Sequence, residues 1–271
     1  MTRILVAGNA TVDAGKTTFT RGLLTTLGGR AIKPRAGNNW WYDHQTVRRA
    51  LDDGRLFGAD AEQLADAHSN AVRPESVNPF HRLWQPAPYA PGDGLIGGID
   101  MEFVLDRVGN HFVVNAQATL PGAVSEALPL ADATVVRTLP ELNDAMRERH
   151  LPRLQGFEAA LEGEPTLIVE SYGDIALPTA SIAYDCVAVV EPGRVRYYDG
   201  DRFTRVAQAV SSSPREGSME PVVPDVIREL EPFADLPLPP LRDSQRTTAR
   251  EIAEAYSSAY EPVGTGSEHA E

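Results

Sequence analysis

The chain has 271 residues, 42% of them hydrophobic, with one cysteine and a formal net charge of −13. That length suits one large α/β domain or a domain with an appendage. The lone cysteine excludes an internal disulfide framework and a thiolate zinc cluster, and the acidic balance argues against nucleic-acid binding, which needs clustered positive charge. No apolar run reaches the roughly 18 residues that span a membrane, and "ILVA" runs straight into polar residues without a signal-peptide core. A cytoplasmic setting with no membrane partner is therefore expected.

In chain order, residues 3–8, "RILVAG", read as a buried first strand. "AGKTTFTRGLLTTLG" follows with the helical spacing of Phe19, Leu23 and Leu24 and a glycine pair to end it. "RAIKP" is a short second strand, and "RAGNNWWYD" reads as a polar-aromatic loop. Helical patterns follow at 43–53 and 59–69, and "NPFHRLWQPAPYAPGDG" reads as Pro-rich and irregular. Residues 101–106 and 111–116 read as a hairpin turning at "RVGN". A long helical stretch covers 139–162. "TLIVESYGD" is an apolar strand ending in acid, and "YDCVAVVEPGRVRYYDGDRF" supplies further strands. Strands alternating with helices predict an α/β fold with a doubly wound, mostly parallel sheet over residues 1–210. Residues 211–243 hold seven of the 21 prolines and read as an arm. "SQRTTAREIAEAYSSAY" then places Ala249, Ile252, Ala253 and Tyr256 on one helical face, for docking on the core or for a partner. The last ten residues are expected to be disordered.

Of the 25 basic residues 23 are arginine, and Lys16 and Lys33 are the two lysines. A salt-rich cytoplasm and G+C-rich coding bias both account for an acidic, Lys-poor chain. The positions of the two lysines are more telling. "GNATVDAGKTT" sits between a strand and a helix, the context of a phosphate-binding loop, although Ala10 stands where the Gly-x4-Gly-Lys-Ser/Thr (Walker A) pattern opens with glycine. Ala10, Ala14, Gly15, Lys16, Thr17 and Thr18 are thus candidate nucleotide contacts. The Lys16 ammonium would meet β- and γ-phosphates, and the Thr17 hydroxyl a magnesium ion.

Lys33 ends the second strand, where open parallel sheets line a ligand crevice. A compact ammonium is not interchangeable with guanidinium around phosphate, so a site role competes with a stray surface lysine. Glu170 closes a buried strand, as a magnesium ligand or a solvated end. Asp43 is an N-cap or a metal ligand. Trp40 and Trp41 stack on a substrate or pack their loop, and Cys186 is an inert core thiol.

The order of GKT, "KPRAG", an Asp at a helix start, "VNPFHRLWQPAP" and "VESYGD" resembles dethiobiotin synthetase and its relatives, P-loop proteins of the signal-recognition-particle/MinD-like class. It is similar also to archaeal proteins described as P-loop ATPases or GTPases. The resemblance covers about residues 1–200. It implies Lys16 and Lys33 on phosphates, with catalytic roles, Asp13 as the loop acid, and Thr17, Asp43 and Glu170 around Mg2+. The loop is one residue longer than in that family, and "SYGD" replaces its Gly-rich turn. The MinD signature lysine is absent, its place taken by Thr11. No lysine is followed by x-Asp, which excludes the Asn/Thr-Lys-x-Asp guanine motif and favours ATP.

The expected activity is Mg-ATP-dependent phosphoryl transfer or hydrolysis that activates a small-molecule acceptor. A regulatory or assembly NTPase acting on a protein partner is the alternative. "DAGKTTFTRGLL" also resembles polynucleotide 5′-hydroxyl kinase loops. A homodimer stays open.

Overall fold

In the computed structural model the described residues are 1–9, 15–87, 101–179, 181–210 and 220–265. Their strands are β1 (Thr2–Gly8), β2 (Arg30–Ile32), β3 (Arg35–Asn39), β4 (Phe80–Pro86), β5 (Met101–Val108), β6 (His111–Asn115), β7 (Thr134–Val136), β8 (Thr166–Glu170), β9 (Cys186–Glu191), β10 (Arg194–Asp199) and β11 (Ala234–Pro237). The fold is α/β, as expected, but the described strands form two mixed sheets rather than one. Their orders are β11-β10-β9-β1-β8-β2 and β3-β4-β5-β6-β7. Contacts divide the chain into two compact units: Met1–Pro34 with Gln63–Val72 and the chain from Leu161 onward, and Arg35–Glu62 with Arg73–Ala160. Among the described residues no helix is long and apolar enough to cross a membrane.

The first unit is built on the parallel run β9-β1-β8-β2. Ile4, Leu5, Val6 and Ala7 are wholly buried, because a parallel sheet covered on both faces selects continuous apolar strands rather than alternating ones. Val6 lies opposite both Glu170 and Ala188, and Gly8 opposite Val190. The carboxyl ends of β1, β8 and β9 therefore open on one edge of the sheet. Antiparallel β10 and β11 extend its far side. Cys186 is buried at the start of β9, where burial, with Asp185 and Asp199 nearby, pushes its thiol up to about 12. It is the inert core thiol expected.

Residues 220–265 pack as structure, and 220–243, read as an arm from their prolines, are part of it. They supply β11, the helix Val223–Ile227, and the helices Ala249–Ala255 and Ser257–Thr265. Pro224 sits in a helix's first turn and Pro237 ends an edge strand, positions where a missing N–H costs little. The last of these helices includes part of the tail expected to be disordered, and residues 266–271 lie outside the described ones.

The face carrying Ile252 docks, with Tyr260, on the helix Lys16–Leu27. Ile252 is fully buried, the Phe19 and Tyr260 rings lie 4.9 Å apart, and Tyr260 Oη donates to the Phe19 carbonyl at 3.0 Å. Gly22 makes this approach possible, since a Cβ there would lie 2.3 Å from Tyr260 Oη and 2.8 Å from Ile252 Cγ2. Gly22→Val is expected to lower unfolding stability by about 2 kcal/mol, the scale of overpacking a close contact. Denaturant titration checks it, and a neutral result would mean that the C-terminal helices contribute nothing to this face.

β2 is an edge strand whose Ala31 N–H donates to His68 Nε2 at 3.2 Å, while His68 Nδ1 meets the Leu64 carbonyl at 2.7 Å. The ring is thus the neutral Nδ1–H tautomer, and burial lowers its pKa. The unfolded chain takes up this proton first as pH falls below about 6.5, so His68's contribution is complete above that pH and is lost below it. Stability is expected to decline between pH 7 and pH 5.5, and less so in His68→Gln.

The second unit holds the corrections to the expected elements. "RAGNN", read as loop, is β3, and the stretch read as irregular contains β4. The polar residues of β4 that mask its pattern are paired across the sheet. Arg82 lies opposite Asp106 and donates two hydrogen bonds to it, both 2.6 Å long. The β5–β6 hairpin turns where expected.

The expected long helical stretch is Leu139–Ala145, a π-helical turn Met146–His150, and Leu151–Ala159. The wide turn precedes Pro152, which has no N–H to continue the ladder. Arg107 is buried and donates to the carbonyls of Leu56 at 2.6 Å, Asn78 at 2.7 Å and Gly109 at 3.2 Å. It ties loops to the sheet in a way that composition alone does not reveal.

Candidate phosphate and cation site

Four of the expected residues meet at the carboxyl edge of the first unit's sheet. Gly15 has φ 83°, the left-handed conformation that glycine adopts without strain, and it opens the helix Lys16–Leu27. The first helical hydrogen bond runs from Phe19 N–H to the Gly15 carbonyl at 3.0 Å. The N–H groups of Thr17 and Thr18 thus precede the helical ladder. Gly15 has no side chain to cap this helix and the first turn holds no acid of its own, so its leading N–H groups carry the positive end of the dipole.

Lys16 is only 8% exposed, and its Nζ donates to the Gly173 carbonyl at 2.7 Å. Gly173 belongs to the "SYGD" turn after β8. That turn is pinned by Ser171 N–H on the Val6 carbonyl at 2.9 Å and by Val223 N–H on the Asp174 carbonyl at 2.7 Å.

Glu170 is the centre of the site. It is completely buried, and its Oε1 accepts from Thr17 Oγ1 at 2.7 Å and from Lys33 Nζ at 2.8 Å. Its Oε2 is buried without a hydrogen-bond partner. Lys33 is 5% exposed, so neither the stray surface lysine nor the solvated strand end describes these two residues. An unpaired carboxylate oxygen beside a threonine hydroxyl is a hard oxygen donor set of the kind that suits magnesium. Among the described residues no group of three or more His, Cys, Asp or Glu could hold a metal ion. Magnesium commonly takes its remaining ligands from phosphate and water.

Ala10, Asp13 and Ala14 lie outside the described residues. Asp43 belongs to the second unit, where its Oδ2 accepts from Asn39 N–H at 2.7 Å and makes no side-chain cap of the following helix. In the same turn Trp40 packs against a core cluster, whereas Trp41 is 71% exposed.

Sequence reasoning passed over Asn9 and Glu191. Glu191 ends β9 as Glu170 ends β8, and it accepts from Asn9 Nδ2 at 2.6 Å. The signal was the same in both cases, an acid closing a buried apolar run.

No protein-family model matches this chain, and no curated protein matches it.

Proposed function

We propose that the chain is a P-loop NTPase that binds MgATP and transfers or cleaves its γ-phosphoryl group, in the manner of dethiobiotin synthetase, to activate a small-molecule acceptor. The observation that carries this reading is Glu170. It is buried at a strand's carboxyl end, engaged on one oxygen by Thr17 and Lys33 and unpaired on the other, beside an uncapped helix start that carries Lys16.

In this reading Thr17 Oγ1 and Glu170 Oε2 would hold magnesium, which when bound neutralises and polarises the phosphate oxygens. The helix N–H groups receive the phosphates. Lys16 exchanges the Gly173 carbonyl for phosphate oxygens. Lys33 keeps a point charge where negative charge spreads over the transferring group. Asp43, whose carboxylate braces the Asn39 turn, is not needed. The absence of a guanine-reading lysine motif supports ATP over GTP.

Calorimetric titration with a non-hydrolysable ATP analogue tests the reading. Binding that requires magnesium is expected, and its absence at millimolar analogue would remove the assignment. Stimulation of ATP turnover by a protein rather than by a metabolite would favour the regulatory alternative.

A further inference from the structure

β1 delivers the chain to the candidate site through Gly8 and Asn9. Asn9 N–H donates to the Val190 carbonyl at 3.3 Å, and the Asn9 amide Nδ2 donates to Glu191 Oε1 at 2.6 Å. The other carboxylate oxygen, Oε2, accepts from Arg194 Nε and Arg196 Nε, both at 2.9 Å. Arg194 lies directly opposite Glu191 on antiparallel β10, so the two guanidiniums are held by the sheet itself. Burial works against the charge on Glu191, but hydrogen bonds from Asn9 and Arg194 and the nearby charge of Arg196 hold its carboxyl below the usual range.

Resting on the P-loop reading above, we propose that Asn9 and Glu191 are positioning residues for nucleotide binding. Together they form a side-chain brace that fixes the point from which the chain leaves β1 toward Lys16. The far end of that connection is already set by Gly15 and by Lys16 on Gly173. Fixing the near end as well sets both described ends of the connection, Asn9 and Gly15, before a ligand arrives. The sequence gives a reason for such a device, because the connection is one residue longer than the P-loop pattern it resembles. A carboxylate beside a polyphosphate site would ordinarily repel the ligand. Here Arg194 and Arg196 both cover the Glu191 carboxylate, which offsets its repulsion of the phosphates.

Simple electrostatics and the brace predict opposite signs for one substitution. Glu191→Ala strips an acid from a site for anions and exposes two arginines, which on charge alone would tighten ATP binding. The brace predicts looser binding. The experiment measures the MgATP dissociation constant of the parent, Asn9→Ala, Glu191→Ala, the double variant and Glu191→Gln, with KM and kcat alongside.

Each alanine variant is expected to weaken binding roughly tenfold, the scale of one charge-assisted hydrogen bond. The double variant should bind no more weakly than Glu191→Ala, because the pair acts as a unit. Glu191→Gln, which keeps an acceptor for the Asn9 amide, should recover most of the affinity. KM should rise with kcat little changed, since neither side chain is placed on the transferring group.

Unchanged or tighter binding in Glu191→Ala, or losses that simply add, would overturn the brace. Should Glu191→Ala fail to fold, parental affinity in Asn9→Ala overturns it alone. A parent that binds no nucleotide overturns the P-loop reading and the brace together. A parent that binds while Asn9→Ala and Glu191→Ala bind equally well overturns only the brace.

Discussion

Lys33→Ala is expected to lose both turnover and stability. The Lys33–Glu170 pair is buried, at 6% and 0% side-chain exposure, with 2.8 Å between the charged atoms. Removing one partner leaves an uncompensated charge away from water, a loss of about 3–5 kcal/mol. Turnover should fall by a factor of roughly 10² or more, the scale of one electrostatic group acting on the transition state.

Lys33→Arg should be nearly as inactive, because a planar fork does not occupy the space of a compact ammonium. A metal effect separates this from simple core damage. Magnesium held as proposed would supply positive charge at Glu170, so it should raise the melting temperature of Lys33→Ala more than that of the parent. A fully active Lys33→Arg protein, or equal magnesium shifts in the two proteins, would take Lys33 out of the proposed site.

Lys16→Ala is expected to abolish measurable MgATP binding while leaving the fold in place. The lysine Nζ donates to a backbone carbonyl, that of Gly173. Losing this hydrogen bond should lower stability by only about 1 kcal/mol, although the residue is more buried than a loop lysine in the sequence suggests. The phosphates, by contrast, lose their main point charge. Circular dichroism and calorimetry on the same preparation make the comparison. An ATP affinity matching the parent's would end the P-loop reading whatever the state of the fold.

The grouping of Thr17, Lys33 and Glu170 was more legible than the fold. Lys33 and Glu170 stand directly after short apolar runs, and such runs in a parallel sheet point their last residues at the ligand edge. The rarity of lysine in an arginine-rich chain marked Lys16 and Lys33 independently of any pattern. β3 and β4 were missed because "RAGNN" lacks apolar alternation and because Arg82 and Gln85 are satisfied by Asp106 and Glu102, partners distant in sequence. Prolines near the C-terminal end read as an arm, yet Pro224 occupies the first turn of a helix and Pro237 the end of an edge strand. The Asn9–Glu191 contact joins residues that no local window shows together, so periodicity could not reveal it.

The strand order also sets a timetable for biosynthesis. β1, at residues 2–8, has as its parallel neighbours β8 and β9, at residues 166–170 and 186–191. At about 5–20 residues per second of synthesis, the first strand waits on the order of ten seconds or more for them. Meanwhile β3 to β7 can close among themselves, since every strand of that sheet falls between residues 35 and 136. The apolar "ILVA" segment thus stays without its sheet partners for that time. Any nascent chain released before Thr166 lacks both Glu170, the partner of Lys33 and Thr17, and Gly173, whose carbonyl takes Lys16.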